Sequence, residues 1–147
     1  MGKNKRPRAA FDPRGGKFPR GADLAEKFNA KHFCWRVGDL DWEGRWGWAN
    51  VTADVIFGAI IPKLHNYESM TWAELDGFSG SHFVDLEKLC DHAQARLRDL
   101  QKDEQAGLFS VRVTGIMRVW GVRDGAILRV LWWDPEHTVC PSLKRGT

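Results

Sequence analysis

The stretch "LFSVRVTGIMRVWGVRDGAILRVLWW", residues 108–133, decides the fold. Its apolar residues recur with a period of two in three runs, "LFSVRV", "MRVWGV" and "ILRVLWW", the period at which side chains alternate between the faces of a sheet. Thr114-Gly115 separates the first pair and Asp124-Gly125 the second, and an Asp-Gly dipeptide between alternating runs is a strong two-residue hairpin signal. Three antiparallel strands in meander order are expected. "TVC", after the Asp134-Pro135 corner, is expected to add a fourth.

Upstream, the period changes. From about Asp85 to Lys102, Leu86, Leu89, Cys90, Ala93, Leu97 and Leu100 fall on one face at three-four spacing, which predicts an amphipathic helix laid on the sheet with Cys90 as a core thiol. Earlier still, "DLAEKFNAK" from Asp23 reads as a short helix and "HFCWRV" (32–37) as a strand. "GDLDWEGRWGW" (38–48) is either a hairpin around Glu43-Gly44 or an ordered loop whose indoles cover the core. Thr52 is placed to cap a helix through Val55, Ile56, Ile60 and Leu64, which Pro62 should kink or restart. Thr71 and Glu74 have capping-box spacing for one more short turn. The sum is an α+β domain, with N-terminal helices packed on a C-terminal antiparallel β-meander.

Composition agrees with a folded domain. The 147 residues are 43% hydrophobic with 8 Trp, enough to bury a core without disulfide or metal. Cys34, Cys90 and Cys140 are scattered, with no CxxC pair, which excludes a disulfide framework and points to a reducing cytoplasm. There is no apolar run of the roughly 18 residues a membrane span needs, and no signal-peptide core. Phosphate-cradling glycine loops and nucleophile elbows are missing too.

Charge is uneven. Residues 1–20 hold seven Lys or Arg against Asp12 alone, a local +6 in a chain whose net charge is +3. With Pro7, Pro13 and Pro19, that segment reads as a disordered basic arm suited to salt-sensitive contact with nucleic acid. The single domain is then residues 21–147.

Alternation also sorts the strand arginines. Arg112 shares a side with Ser110, Arg118 with Trp120 and Val122, and Arg129 with Ile127, Leu131 and Trp133. A guanidinium among apolar neighbours needs an anion, an open face, or an internal partner, for which Asp134 and Glu136 are near in sequence. His137 follows the corner, and imidazole is the side chain whose ordinary pKa, about 6.5, suits proton transfer near neutrality. His82, in "GFSGSHF", is placed to cap a loop against such a site. His32-x-Cys34 and His137-x-x-Cys140 offer two halves of a zinc site, but neither half has a common zinc-ligand spacing, and no metal is expected.

"SVRVTGIMRVWGVRDGAILRVLWWDPEH" (110–137), following a long amphipathic helix, resembles the RelE/ParE-like toxin superfamily of bacterial toxin-antitoxin systems. Gly115 before Arg118, the turn at Asp124 and the apolar strand ending toward His137 carry the likeness, over about residues 85–142. The resemblance implies a toxin acting as a metal-independent endoribonuclease that cuts messenger RNA, on the ribosome in many members, by attack of a 2′-hydroxyl on the adjacent phosphate. It implies a cognate antitoxin protein as partner and no cofactor. Arg118 matches the family's strand arginine. The resemblance implies Arg129 as a second phosphate clamp and His137 as acid or base. Arg112, Lys144 and Arg145 become backbone contacts, and Trp120 and Trp133 base-stacking rings. The family's frequent C-terminal tyrosine is absent, Tyr67 being the only tyrosine. The alternatives from other classes are a nucleic-acid- or ribosome-binding module without chemistry, and a protein-interaction domain using the Trp cluster.

Overall fold

The computed structural model describes residues 27–141. The basic arm, most of the helix expected from Asp23, and Lys144 and Arg145 lie outside the described residues. The three predicted runs form β3 (Gly107–Thr114), β4 (Met117–Asp124) and β5 (Ile127–Asp134), paired antiparallel in meander order. Thr114 pairs with Met117 and Asp124 with Ile127, so the hairpin loops are Gly115-Ile116 and Gly125-Ala126, one residue later than the dipeptides suggest. Each loop starts with a glycine at positive φ, 53° and 63°, the backbone region glycine enters without steric cost.

The fourth and fifth strands come from elsewhere in the chain. "TVC" forms no strand. Instead β1 (Cys34–Arg36), inside the expected "HFCWRV" strand, pairs parallel with β5, and β2 (His82–Asp85) pairs antiparallel with β3. The sheet is therefore mixed, in the order β1-β5-β4-β3-β2.

Helices lie between these strands. Thr52 caps the turn α1 (Ala53–Val55), a π segment follows over Ile56–Ile60, and α2 (Ile61–Tyr67) continues with Pro62 in its first turn. The π segment is how the chain passes Pro62: the Ile61 N–H reaches back to the Ile56 carbonyl, and the helix restarts where proline's missing donor costs nothing. Thr71 and Glu74 form both halves of a capping box at the head of α3 (Trp72–Phe78).

The helix expected over 85–102 is shorter. A 3-10 turn occupies Leu86–Lys88 and α4 spans Asp91–Asp99. Residues ahead of it are tied to other segments: Leu86 N–H bonds the Ala106 carbonyl just before β3, and Cys90 N–H that of Val139 in the turn after β5. The expected apolar face is the one turned to the sheet: Leu89, Ala93 and Leu97 are buried, while Leu86, Leu100 and Cys90 pack beside them, Cys90 half-buried at the helix cap and not a core thiol.

Both sheet faces are covered. One carries Val111, Val119, Leu128, Val130 and Trp133 against α2, α3 and Trp48; the other carries Leu108, Trp120, Val122, Leu131 and Trp132 against α4 and Trp46. The segment 38–48 is thus an ordered loop that sends Trp46 to one core and Trp48 to the other. It also borders β5, through Asp41 N–H to the Leu131 carbonyl and Trp133 N–H to that of Trp46.

A bulge in β5 changes the face assignment. Trp120 faces Trp132, and Gly121 faces Val130, leaving Leu131 as the extra residue. Leu131 and Trp132 consequently share a side, and Trp133 is turned to the other. Arg129 therefore shares its face with Leu131 and Trp132, not with Trp133. A side chain at Gly121 would meet the Arg129 carbonyl at 2.5 Å, so glycine permits the close approach there.

Candidate functional site

On the α4 side of the sheet, two cross-strand rows run toward the end at which β5 stops, the first buried in its middle by the α4 core and the second beyond it. One runs His82, Ser110, Trp120, Trp132 from β2 to β5; the next runs Arg112, Arg118, Asp134 from β3 to β5. His82 and Arg112 are exposed, and Arg118 is half-buried. The sheet therefore ends in a cationic rim.

Asp134 organises that rim. It is fully buried, and its carboxylate accepts four hydrogen bonds: from Trp120 Nε1 (3.1 Å), Thr138 N (2.9 Å), Thr138 Oγ1 (3.2 Å) and Val139 N (3.0 Å). Those bonds close the 134–139 turn and hold His137 in the left-handed region at φ 58°, which few side chains occupy unsupported. The corner is thus both a stop for β5 and a mount for the histidine.

The electrostatics tie the group together. Burial pushes the His137 imidazole below its ordinary pKa, and the charges of Arg118 and His82 push the same way against the opposing pull of Asp134. The environment therefore favours the neutral imidazole, the form that accepts a proton. Burial and the neighbouring Arg112 lower Arg118, whose guanidinium stays charged because its ordinary pKa is so high. Arg118 Nη1 donates to the carbonyls of Gly115 (2.7 Å) and Met117 (3.2 Å). Its Nε and the buried Ser110 Oγ have no hydrogen-bond partner among the described residues. On the far side of β3, Tyr67 is buried and donates its hydroxyl to the Arg112 carbonyl at 2.7 Å; burial pushes its phenol up, so it serves as a brace for the strand. Ser81 Oγ accepts from Arg112 N at 3.0 Å, and the Arg112 side chain passes against Gly80.

The structure brings together Arg112, Arg118 and His137 and sets Arg129 apart from them. Arg129 faces Val122, four residues along β4 from Arg118, about 13 Å at strand spacing. It is bonded to Asp39 (2.9 Å), with Asp124 at 3.9 Å, so it does not join Arg118 in a phosphate clamp. Trp120 and Trp133 are 1% and 7% exposed, leaving no free ring face on which to stack a base. The two halves of the zinc reading sit at opposite ends of β5: Cys34 Sγ bonds the Ala126 carbonyl and Cys140 Sγ that of Lys88. Among the described residues no group of three or more His, Cys, Asp or Glu is arranged to hold a metal.

His82 is the member the sequence left as a loop cap. It was hidden because residues from 85 onward read as a helix, whereas His82–Asp85 is a strand that places its first residue beside Ser110. The four residues are exposed, exposed, buried and exposed, with no alternation of residue type to mark a strand in the sequence.

Comparison with protein-family models, curated proteins and solved structures finds no match for this chain.

Proposed function

We propose that this protein is the toxin of a toxin-antitoxin pair, a metal-independent endoribonuclease whose site is the rim formed by Arg112, Arg118 and His137. The observation that carries the reading is a half-buried imidazole on a fixed turn beside two arginines at the end of the sheet. Transesterification of RNA needs a group to take the 2′-hydroxyl proton and positive charge for the phosphorane that forms. His137 supplies the first, and Arg118 with Arg112 the second. Lys144, Arg145 and the basic arm extend the contact along the RNA backbone, which on the ribosome would present a messenger strand to the rim. The cadence of residues 110–137 supports the same assignment. A cognate antitoxin protein is the expected protein partner.

Induced expression in bacteria tests this directly. The parent is expected to arrest growth and to leave new 5′ ends in primer-extension mapping, whereas His137→Ala and Arg118→Ala are not. A parent that permits full growth and cuts no RNA would overturn the reading. RNA binding that survives both substitutions and disappears on deletion of residues 1–20 would favour a binding module without chemistry.

A further inference from the structure

Two of the three free cysteines meet where the cap of α4 touches the turn that follows β5. Cys90 is the N-cap residue, in extended backbone, and its N–H donates to the Val139 carbonyl at 2.8 Å. In return, Cys140 Sγ donates to the Lys88 carbonyl at 3.3 Å. Two bonds running in opposite directions thus bracket the two segments together. A peptide hydrogen bond from Cys90 to the carbonyl just before Cys140 sets their Cα atoms about 5–6 Å apart, inside the roughly 4.4–6.8 Å that a disulfide spans. Both side chains are half-buried and pack against the same core cluster, the one that holds Leu89, Ala93 and Val139. The two thiols also feel one another. Burial pushes the Cys140 thiol up, and Cys90 and Asp134 add to the rise against the opposing pull of Lys88. Cys34 lies at the opposite end of β5, with its Sγ on the Ala126 carbonyl.

We propose that Cys90 and Cys140 are a redox pair that hydrogen peroxide closes into an intramolecular disulfide, stapling the turn that carries His137 to the head of α4. One sulfur, as thiolate, attacks a peroxide oxygen; the O–O bond breaks, leaving a sulfenic acid and hydroxide. The second thiolate then attacks that sulfur, and the S–S bond forms as the S–O bond breaks. The two hydroxides take up the two thiol protons. The balance is two thiols and one peroxide to one disulfide and two waters, with two electrons passing from sulfur to oxygen. The bridge would enclose β3, β4 and β5, and closing so long a loop removes more freedom from the unfolded chain than closing a short one. Because the thiolate is the reactive form and Cys140 is held above its ordinary range, closure quickens as pH rises from neutrality. In a reducing compartment the pair stays open. The pair stands whether or not the rim cuts RNA.

The native full chain, treated with hydrogen peroxide, tests this. Free thiols are expected to fall from three to one per chain, with an intact mass lower by two hydrogens and a peptide map that links Cys90 to Cys140. Dithiothreitol should restore all three. The oxidised chain is expected to unfold at a higher urea concentration than the reduced one, and to form its link faster at pH 9 than at pH 7. Cys34→Ser should still close, whereas Cys90→Ser and Cys140→Ser should not. The parent and Cys34→Ser decide the matter even where either of the other two folds poorly. A link that involves Cys34, a link between two chains, or sulfinic acids at Cys90 and Cys140 without any link would overturn the pair. A link from Cys90 to Cys140 that lowers the urea midpoint would overturn the staple.

Discussion

Arg118 and Arg129 lie on the same sheet face, yet their surroundings are opposite. At the β1 end, Arg129 is bonded to Asp39, which Lys102 also approaches at 3.5 Å. The Arg129 bond holds the Asp39 carboxyl below the usual carboxylate range despite the opposing effect of burial, with help from Lys102. At the other end, Arg118 faces Asp134, but that carboxylate is already saturated by Trp120, Thr138 and Val139. One arginine is matched by an acid with oxygens to spare, and the other looks across at an acid whose oxygens are taken. A charge balance along the chain would score the two alike. What separates them is that Arg129 is bonded to its neighbouring carboxylate and Arg118 is not, while Arg112 adds a second cation beside Arg118.

The largest effect should come from reversing each charge in turn. Arg118→Glu is expected to reduce RNA cleavage by about 10³-fold, the scale of losing a transition-state charge contact, while Arg129→Glu stays within about threefold because its distance and exposure screen it. Equal losses in a single-turnover assay would erase the distinction between the ends. Next is Asp134→Ala, which strands four donors and releases the His137 turn. A loss of about 3 kcal/mol is expected in urea unfolding, together with loss of cleavage.

Smaller still, Arg129→Ala should cost under about 1 kcal/mol, the range of a partly exposed ion pair, with cleavage unchanged. The smallest effect concerns pH. His137 has a folded pKa below its unfolded value, so the unfolded chain binds more protons in the interval between them, and stability falls as pH drops through that window. Chemical denaturation between pH 7 and 5 should show the parent losing more stability than His137→Ala. A parent that gains stability on acidification relative to the variant would contradict the environment assigned to the imidazole.

Much of this was legible in the chain because it is local. The meander, its hairpins, the capping box of Thr71 and Glu74 and the buried stripe of α4 are each specified within a dozen residues, and the α+β class follows from them. What escaped depends on register. A single extra residue at Leu131 reversed the expected side of Trp133, and no propensity marks it, because a bulge is selected by how β4 and β5 fit. The parallel pairing of β1 with β5 joins segments about ninety residues apart. The helix over 85–102 is shortened for a related reason: its apolar pattern is genuine on its face, but hydrogen bonds to Ala106 and Val139, both distant in sequence, hold its first residues out of the helix. At the candidate site, Arg118 and His137 were visible as residue types, whereas the fates of Arg129, Trp120 and Trp133 were decided by burial and partners that only the fold supplies.

The β1–β5 pairing also bears on how the molecule forms. The meander needs only two short loops and can close early, while β1 must cross a long stretch of chain before its few parallel bonds reward it, and such contacts form late. The edge that completes the sheet is therefore the last to assemble and the first to open. Its amides, Cys34 to Arg36, should exchange with solvent through openings that leave the amides of β3 and β4 protected.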